Sequence, residues 1–569
     1  MPSPLETIPL DVLTTIVFFS VASDTLRPPD SIFQLQLCSR TIHDSLTPRA
    51  CPQLYARTFR AKFDLVSSSR RCYAPWMPSS FLAAELQQRC RVLRRVRHCQ
   101  LERGSIIADL WTIYLMILES DGLNEMQLQA AGISAFMRHL FRQLREGWAA
   151  YSLSSDRPVT IISLAMSIAC LTWSREFILD LPVEERNELL SFFRPFAVAA
   201  SKCSSIDAYG IETYGIQTTP DGLDDRSDTV IDASLKNRLT THSDYYRAFA
   251  VTCPSLLLMS GSIFLTFALK EVSALQVPPH LPLNRAAATT ASRPGPTRED
   301  FFAIAERRTP LVADSFHQTQ RPISVLRGAI GAKRPSRSAA HDEDFYRIAR
   351  HLDLRDETQK LRSYIPGLLA GLWEGSYMVS PVNGCQGATD RTTFAESPDF
   401  VCRQPIQCRL QEHLCFSPYL PFPVSADGGF EEGVFPQGSS LGSPGEISEN
   451  NEFSDGSSFG EYSYEPLRLH SAPESGEGSA RQPLDVVITG ETPQKYDAAW
   501  GAYNFAGRVR LSDGLIILTR KPKSAGDAGC GTWIFEGYMQ SRRVLVGRWR
   551  SSGSRDQVGG IFSLSRTEE

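Results

Sequence analysis

Four cysteines and a histidine in the second half of the chain carry the ligand types of a zinc site: Cys385, Cys402, Cys408, Cys415 and His413. Structural zinc sites draw on close pairs about two to four residues apart, and here the gaps are sixteen, five and six residues. No metal is expected. The glycine-containing run Gly328–Ser336, "GAIGAKRPS", lacks the Gly-Lys-Ser/Thr ending that cradles a phosphate. No G-x-S-x-G stands at a strand-to-helix turn, and the histidines are scattered. A basic face is present in Arg89, Arg91, Arg94, Arg95, Arg97, His98 and Arg103. It has no interleaved aromatic platform, so a solvated face or an acidic partner fits better than nucleic acid. The chain reads as non-catalytic, with no cofactor.

The bulk composition agrees with that reading. A net charge of −4 over 569 residues argues against wholesale nucleic-acid binding. The length points to three or four domains. Thirteen cysteines at irregular spacing, an odd number, fit reduced thiols in the cytoplasm or nucleus. Near the N-terminus, "TIPLDVLTTIVFFSVASD" is strongly apolar, but Glu6 and Asp11 flank it and no basic residue precedes Arg27. Its unbroken part, Val12 to Ala22, is about half a membrane span, so a soluble helix starting at Pro9 with Thr7 as cap is expected. The run Ala248 to Lys270 is long enough to cross a bilayer. Pro254 and Gly261 interrupt it, and it is read as a buried core helix rather than a membrane segment.

These residues must be positioned by elements of two kinds. Residues 1–65 read as short helices and 66–275 as a helical domain, with Ile107–Asp121 apolar nearly all round and therefore central. The Pro-, Ser- and Arg-rich stretch 276–341 reads as a disordered linker. Residues 342–382 carry a helix and then "GLWEGSYMV". Residues 383–484 read as a disordered acidic insertion, where Ser443, Ser448 and Ser454 are phosphorylation candidates on a flexible spacer. Residues 485–569 are short strands of alternating pattern, an antiparallel meander that can close into a barrel. "GLWEGSYMV" shares their Gly-aromatic pattern and reads as a strand of the same sheet. The fold class is α+β.

Within that sheet, Trp373, Tyr377, Trp500, Tyr503, Trp533 and Trp549 are candidates to line a pocket, although alternating aromatics equally serve as barrel core. Arg508, Arg510, Arg548 and Arg550 flank them and suit an acidic or C-terminal group.

The N-terminal helices resemble an F-box. Ile8, Pro9, Asp11, Val12, Leu13 and Ile16 match its Leu-Pro-acidic opening and Ile-rich helix, and Leu35, Leu37, Ser39 and Ile42 match its later part. "CPQLYARTFRAKFD" is similar to the tail that often follows. The Trp usual near the third helix is replaced around Ile42–His43, and the hinge "SDTLRPPD" is longer than common. The match covers about a tenth of the chain. It implies docking on a Skp1-like adaptor through Ile8, Pro9, Leu10, Val12, Leu13, Ile16, Ile32, Leu35 and Leu37. Through the adaptor it implies a cullin-RING ubiquitin ligase to which the rest of the chain presents a protein substrate. Pro366–Val379 and Val486–Pro493 are similar to the F-box only protein 31 family, which carries a C-terminal barrel with a disordered insertion. The later strands match only in general style, and Trp373, Tyr377, Trp500, Trp533, Arg548 and Trp549 are the candidates for substrate binding from their own pattern. The competing reading is a small-molecule or lipid-binding calycin-like barrel without a ligase role.

Overall fold

The alternating strands do close into a barrel, and the apolar helices cluster in the N-terminal half. The computed structural model describes residues 4–71, 77–102, 104–151, 157–198, 249–251, 277, 279–292, 296–306, 336–351, 364–381, 402–415, 452–453, 462–467, 483, 485–511, 514–523, 532–551 and 558–567. Two compact units result. One holds Met1–Thr172, Thr240–Val251 and Pro322–Phe345; the other holds Trp173–Leu239, Thr252–Arg321 and Tyr346–Glu569.

The first unit is helical: α1 Leu10–Ala22, α2 Asp30–Cys38, α3 Arg40–Ser45, α4 Pro52–Lys62, α5 Val66–Arg71, α6 Ser79–Arg97, α7 Ile106–Leu118, α8 Leu123–Ala130, α9 Ile133–Tyr151 and α10 Arg157–Thr172. The apolar run read as central is α7, whose Leu110, Trp111, Ile113, Tyr114 and Met116 are buried. Pro9 precedes α1 as its cap rather than opening it. Its backbone is extended, and its carbonyl accepts the Leu13 N–H at 3.0 Å. Thr7 lies one turn earlier, in a short 3-10 helix, Pro4–Thr7. No helix among the described residues is long and apolar enough to cross a membrane. Of the run Ala248 to Lys270, only the short strand Phe249–Val251 lies within the described residues.

The second unit holds α11 Arg175–Asp180 and α12 Val183–Val198, both expected inside the 66–275 helical domain. It also holds two helices inside the stretch expected as a linker, α13 Arg285–Thr290 and α14 Arg298–Glu306. The expected disorder is therefore corrected over Arg285–Thr290 and Arg298–Glu306, while 307–335 lies outside the described residues. The Pro- and Ser-rich composition hid two local caps. The Asn284 side chain accepts the Ala287 N–H at 2.9 Å, and Thr297 with Asp300 forms a reciprocal box at 2.8 and 3.2 Å. Phe301 then gains burial that a linker residue would not have.

The barrel has eight antiparallel strands: β1 Gly371–Pro381, β2 Cys402–Cys415, β3 Asp485–Glu491, β4 Tyr503–Arg510, β5 Leu515–Pro522, β6 Trp533–Gln540, β7 Val544–Ser551 and β8 Val558–Arg566. Each pairs with the next, and β1 also pairs with β8, placing Tyr377 opposite Phe562 and closing the cylinder. β2 lies inside the stretch 383–484 expected to be wholly disordered, which is a second correction. Its inward positions Ile406, Cys408, Leu410 and Leu414 keep period two, but Glu412 falls on the same parity and masked the pattern. Tyr462–Pro466 adds to the edge of β2, and Glu452–Phe453 pairs with it in turn.

Inward glycines let the cylinder close tightly. A Cβ on Gly375 would stand 2.0 Å from the Ser563 carbonyl oxygen, and one on Gly547 would stand 2.0 Å from that of Glu536. Charged side chains also occupy inward positions, and Glu412 is one of them. Glu412 is fully buried and accepts from the Gly367 N–H at 2.7 Å, the Leu369 N–H at 2.7 Å, the Ala370 N–H at 3.1 Å and the Tyr364 hydroxyl at 2.9 Å. It thereby fixes the chain leading into β1, and the Trp373 indole donates to the Leu369 carbonyl at 2.7 Å. Burial beside the Glu412 carboxylate pushes the Tyr364 hydroxyl well above its ordinary pKa. Glu412→Ala strands three backbone N–H groups in a dry site and is expected to cost about 3 kcal/mol. Urea unfolding of the full chain measures this, and a cost under about 1 kcal/mol would show the anchor to be dispensable.

Candidate functional site

Two regions hold the residues singled out from the sequence, one in each unit. The first is the surface of α1 and α2. Helix α1 has two apolar stripes. Leu13, Val17 and Val21, spaced by four, are buried in the unit. Val12, Ile16 and Phe19 lie on another side and are 45%, 50% and 64% exposed. Helix α2 repeats the arrangement: Ile32 is buried, whereas Phe33 and Leu37, one turn apart, are 53% and 86% exposed. Pro9 and Leu10 are also exposed, and Ile8 and Leu35 are half-buried. Of the nine positions that the resemblance assigned to docking, Leu13 and Ile32 thus serve the internal core. Phe19 and Phe33, which the resemblance did not assign, also stand out to solvent. The signal that finds them is the second stripe, which appears only once the buried one is subtracted. Phe18 differs from its neighbour Phe19, because the Arg57 guanidinium lies over its ring at 4.2 Å.

The pieces under this surface are held by polar anchors. Ser39 caps α3 by accepting from Thr41 and Ile42, and its hydroxyl donates to Glu6, tying the turn before α1 to α3. Gln36 donates to the Leu46 carbonyl at 2.8 Å, and the Tyr55 hydroxyl donates to the same oxygen at 2.7 Å. The hinge between α1 and α2 is held by Lys62. Its buried ammonium donates to the carbonyls of Asp24 at 2.6 Å, Arg27 at 2.8 Å and Thr25 at 3.3 Å, and burial pulls its pKa down. Gln127 of α8 donates to the Thr25 carbonyl at 2.6 Å. Asp64 and Asn124 exchange two hydrogen bonds at 2.9 and 3.1 Å. Residues 4–65 are therefore continuous with the helices that follow, and the long hinge is a fixed part of the unit.

The second region is the end of the barrel formed by the C-terminal ends of β1, β5 and β7 and the N-terminal ends of β4 and β6. Tyr377, Trp533 and Trp549 share its inner face. Trp533 and Trp549 stack at 4.2 Å with 18° between planes, and Tyr377 meets them edge-on at 5.2 and 5.4 Å. Among them lies Arg520, which the sequence reading did not single out. Its guanidinium is 3.6 Å from the Trp533 ring centre, 4.1 Å from that of Tyr503 and 5.6 Å from that of Tyr377. The sequence signal was its parity: Arg520 continues the inward series Ile516, Leu518 along β5.

The other candidates separate from this cluster. Trp373 is inward but fully buried, bonded to the chain entering β1. Trp500 ends the short helix Gln494–Trp500, and its side chain lies outside the described residues, as does that of Arg510. Arg548 points out of the barrel and donates to Glu536 at 2.7 Å, and Arg550 approaches the same carboxylate at 3.8 Å. Arg508 donates to Asp485 at 2.7 Å, also on the outer side. The three described arginines are engaged with acids on the wall, because the strand period turns their positions away from the aromatic one.

Of the zinc candidates, Cys385 and the Cys402 side chain lie outside the described residues, and Cys408 and His413 lie on opposite faces of β2. Cys408 faces the barrel core, where burial pushes its thiol up to about 12. His413 faces outward, with its Nε2 2.8 Å from the Thr489 hydroxyl, and burial lowers its pKa. No group of metal-binding side chains exists among the described residues.

The two stripes of α1 make a contrast that unfolding can read. Leu13→Ala opens a cavity and is expected to cost about 3 kcal/mol, whereas Ile16→Ala stays within about 0.5 kcal/mol of the parent. Equal costs would mean that the exposed stripe is structural. No protein-family model, curated protein or solved structure matches this chain.

Proposed function

We propose that this protein is the substrate-recognition subunit of a Skp1-cullin-F-box-type ubiquitin ligase. In this reading the N-terminal helices dock on a Skp1-like adaptor, and the barrel presents a protein substrate. The observation that carries it is the exposed stripe Val12, Ile16 and Phe19 on a helix whose other stripe is fully used in the core. Together with Phe33 and Leu37 it leaves large apolar side chains in water, where a partner's apolar surface would recover about 25 cal/mol for each Å² removed. The polar anchors beneath suit the role, since a rigid hinge between α1 and α2 presents a preformed surface and reduces the ordering cost of binding. The protein acts in the cytoplasm or nucleus in this reading, and ubiquitin transfer belongs to the partner enzymes.

For the barrel, the supporting observation is the aromatic cluster around Arg520 at one end. A cation against Trp and Tyr faces, beside strand ends, suits a peptide side chain or terminus entering at the rim. The small-molecule alternative has less support. Trp373, Phe505, Phe535, Trp549 and Phe562 occupy the interior of the barrel, so its middle is a packed core.

The test is capture of a purified Skp1-type adaptor by the full chain. Ile16→Asp with Phe19→Asp leaves Leu13, Val17 and Val21 in place and is expected to weaken capture at least about tenfold with an unchanged unfolding midpoint. Binding that survives the double change, or no binding by the parent protein, would overturn the assignment.

A further inference from the structure

The helical unit includes a clasp at the end of α5 that the receptor role does not use. After α10 the chain returns to this unit with Ser336–Phe345, which is held by the arginine pair ending α5. Arg71 is fully buried. It donates to the Asp342 carboxylate at 2.8 Å, to the Ser338 carbonyl at 2.8 Å and to the Leu118 carbonyl at 2.9 Å, and its guanidinium lies 4.6 Å from the Phe345 ring centre. Arg70 is partly exposed. Its Nε and Nη2 hold Asp342 at 3.1 and 2.6 Å, and its Nη1 donates to the Ser336 hydroxyl at 2.8 Å. Ser338 is buried; its N–H donates to Asp121 at 2.9 Å. Arg337 lies 3.6 Å from Glu125.

Two independent features meet at Ser336. In sequence it follows Lys333, Arg334 and Pro335, with basic residues three and two positions before a serine. That arrangement fits the acidic substrate groove of a basophilic serine kinase. In the structure Ser336 is half-exposed with extended backbone, and its hydroxyl already rests on one end of a guanidinium whose other edge is occupied by Asp342. Ser338, two residues on, is buried and lacks the basic residue at the third position before it. The site is thus confined to one serine.

We propose that Ser336 is a phosphorylation site for a basophilic serine kinase, and that Arg70 receives the phosphate and pins the returning segment to the helical unit. The Ser336 hydroxyl oxygen attacks the γ-phosphorus of ATP as the bond to the β-phosphate oxygen breaks. ADP leaves, and the hydroxyl proton passes to the kinase's base. The product carries close to two negative charges beside Arg70 in place of one neutral hydroxyl. A guanidinium can hold a phosphate and a carboxylate on separate nitrogens at once, which an ammonium cannot. Arg71 stays on Asp342 and offsets the carboxylate's repulsion of the phosphate.

The experiment treats the full chain with the catalytic subunit of cyclic-AMP-dependent protein kinase and magnesium ATP. Phosphopeptide mapping locates the modification, and hydrogen exchange over residues 339–345 reports opening of the clasp. Phosphate is expected on Ser336, with little incorporation after Lys333→Ala with Arg334→Ala. Exchange over 339–345 is expected to slow at least about threefold on phosphorylation and not in Ser336→Ala treated alike. Arg70→Met is expected to abolish the slowing. Should Arg70→Met not fold, Arg70→Lys serves, and it is expected to keep less than half of the effect. Absence of phosphate from Ser336 overturns the site. Exchange that is unchanged or faster on phosphorylation, or slowing that persists fully in the Arg70 variants, overturns the pinning role.

Discussion

Closure of the barrel is the constraint on which the second unit depends. Strand β1 must pair with β2 on one side and with β8, far along the chain, on the other. An eight-stranded cylinder is narrow, and its neighbouring backbones approach until a Cβ at Gly375 or Gly547 would collide with a carbonyl oxygen. The same narrowness leaves the interior filled with aromatic and aliphatic side chains. It leaves Arg520, once on the inward parity, over the rings of Trp533 and Tyr503.

The helical unit solves a different problem by similar means. Its N-terminal helices are too short to hide all of their apolar surface, so one stripe of α1 is used inside and one is left outside. What makes the outer stripe a surface rather than a frayed end is the polar anchoring beneath it. Lys62 satisfies three carbonyls of the hinge with one cation, and Ser39 joins α3 to Glu6. A buried ammonium is costly unless every proton finds an acceptor, and here the hinge carbonyls supply them. Length in the hinge, read from sequence as a departure from the F-box pattern, becomes the set of acceptors that holds it.

Much of the outline was legible in the chain. Alternating patterns in 485–569 and the Gly-aromatic run at Gly371–Val379 were enough to place them in one sheet, because side-chain parity in a strand is a local property. Strand β2 was not legible. Its inward set includes Cys408 and Glu412, and an acid on the apolar parity reads as a break until Tyr364 and three backbone N–H groups are seen to surround it. Helices α13 and α14 were missed for a related reason: their caps are local, but prolines between them dominated the composition.

By itself, the sequence determined the helical and strand periodicities, the candidate docking helices and the aromatic positions of the barrel, since each follows from neighbours a few residues apart. Only the tertiary structure decided which of two apolar stripes on α1 faces water. It also decided which arginine joins the aromatic cluster, and that Ser336 rests on Arg70. Those outcomes depend on which distant surface takes up each face first. A stripe is exposed, rings gather around an inward arginine and a serine meets a cation only after the rest of the chain has packed, and no local pattern carries that information.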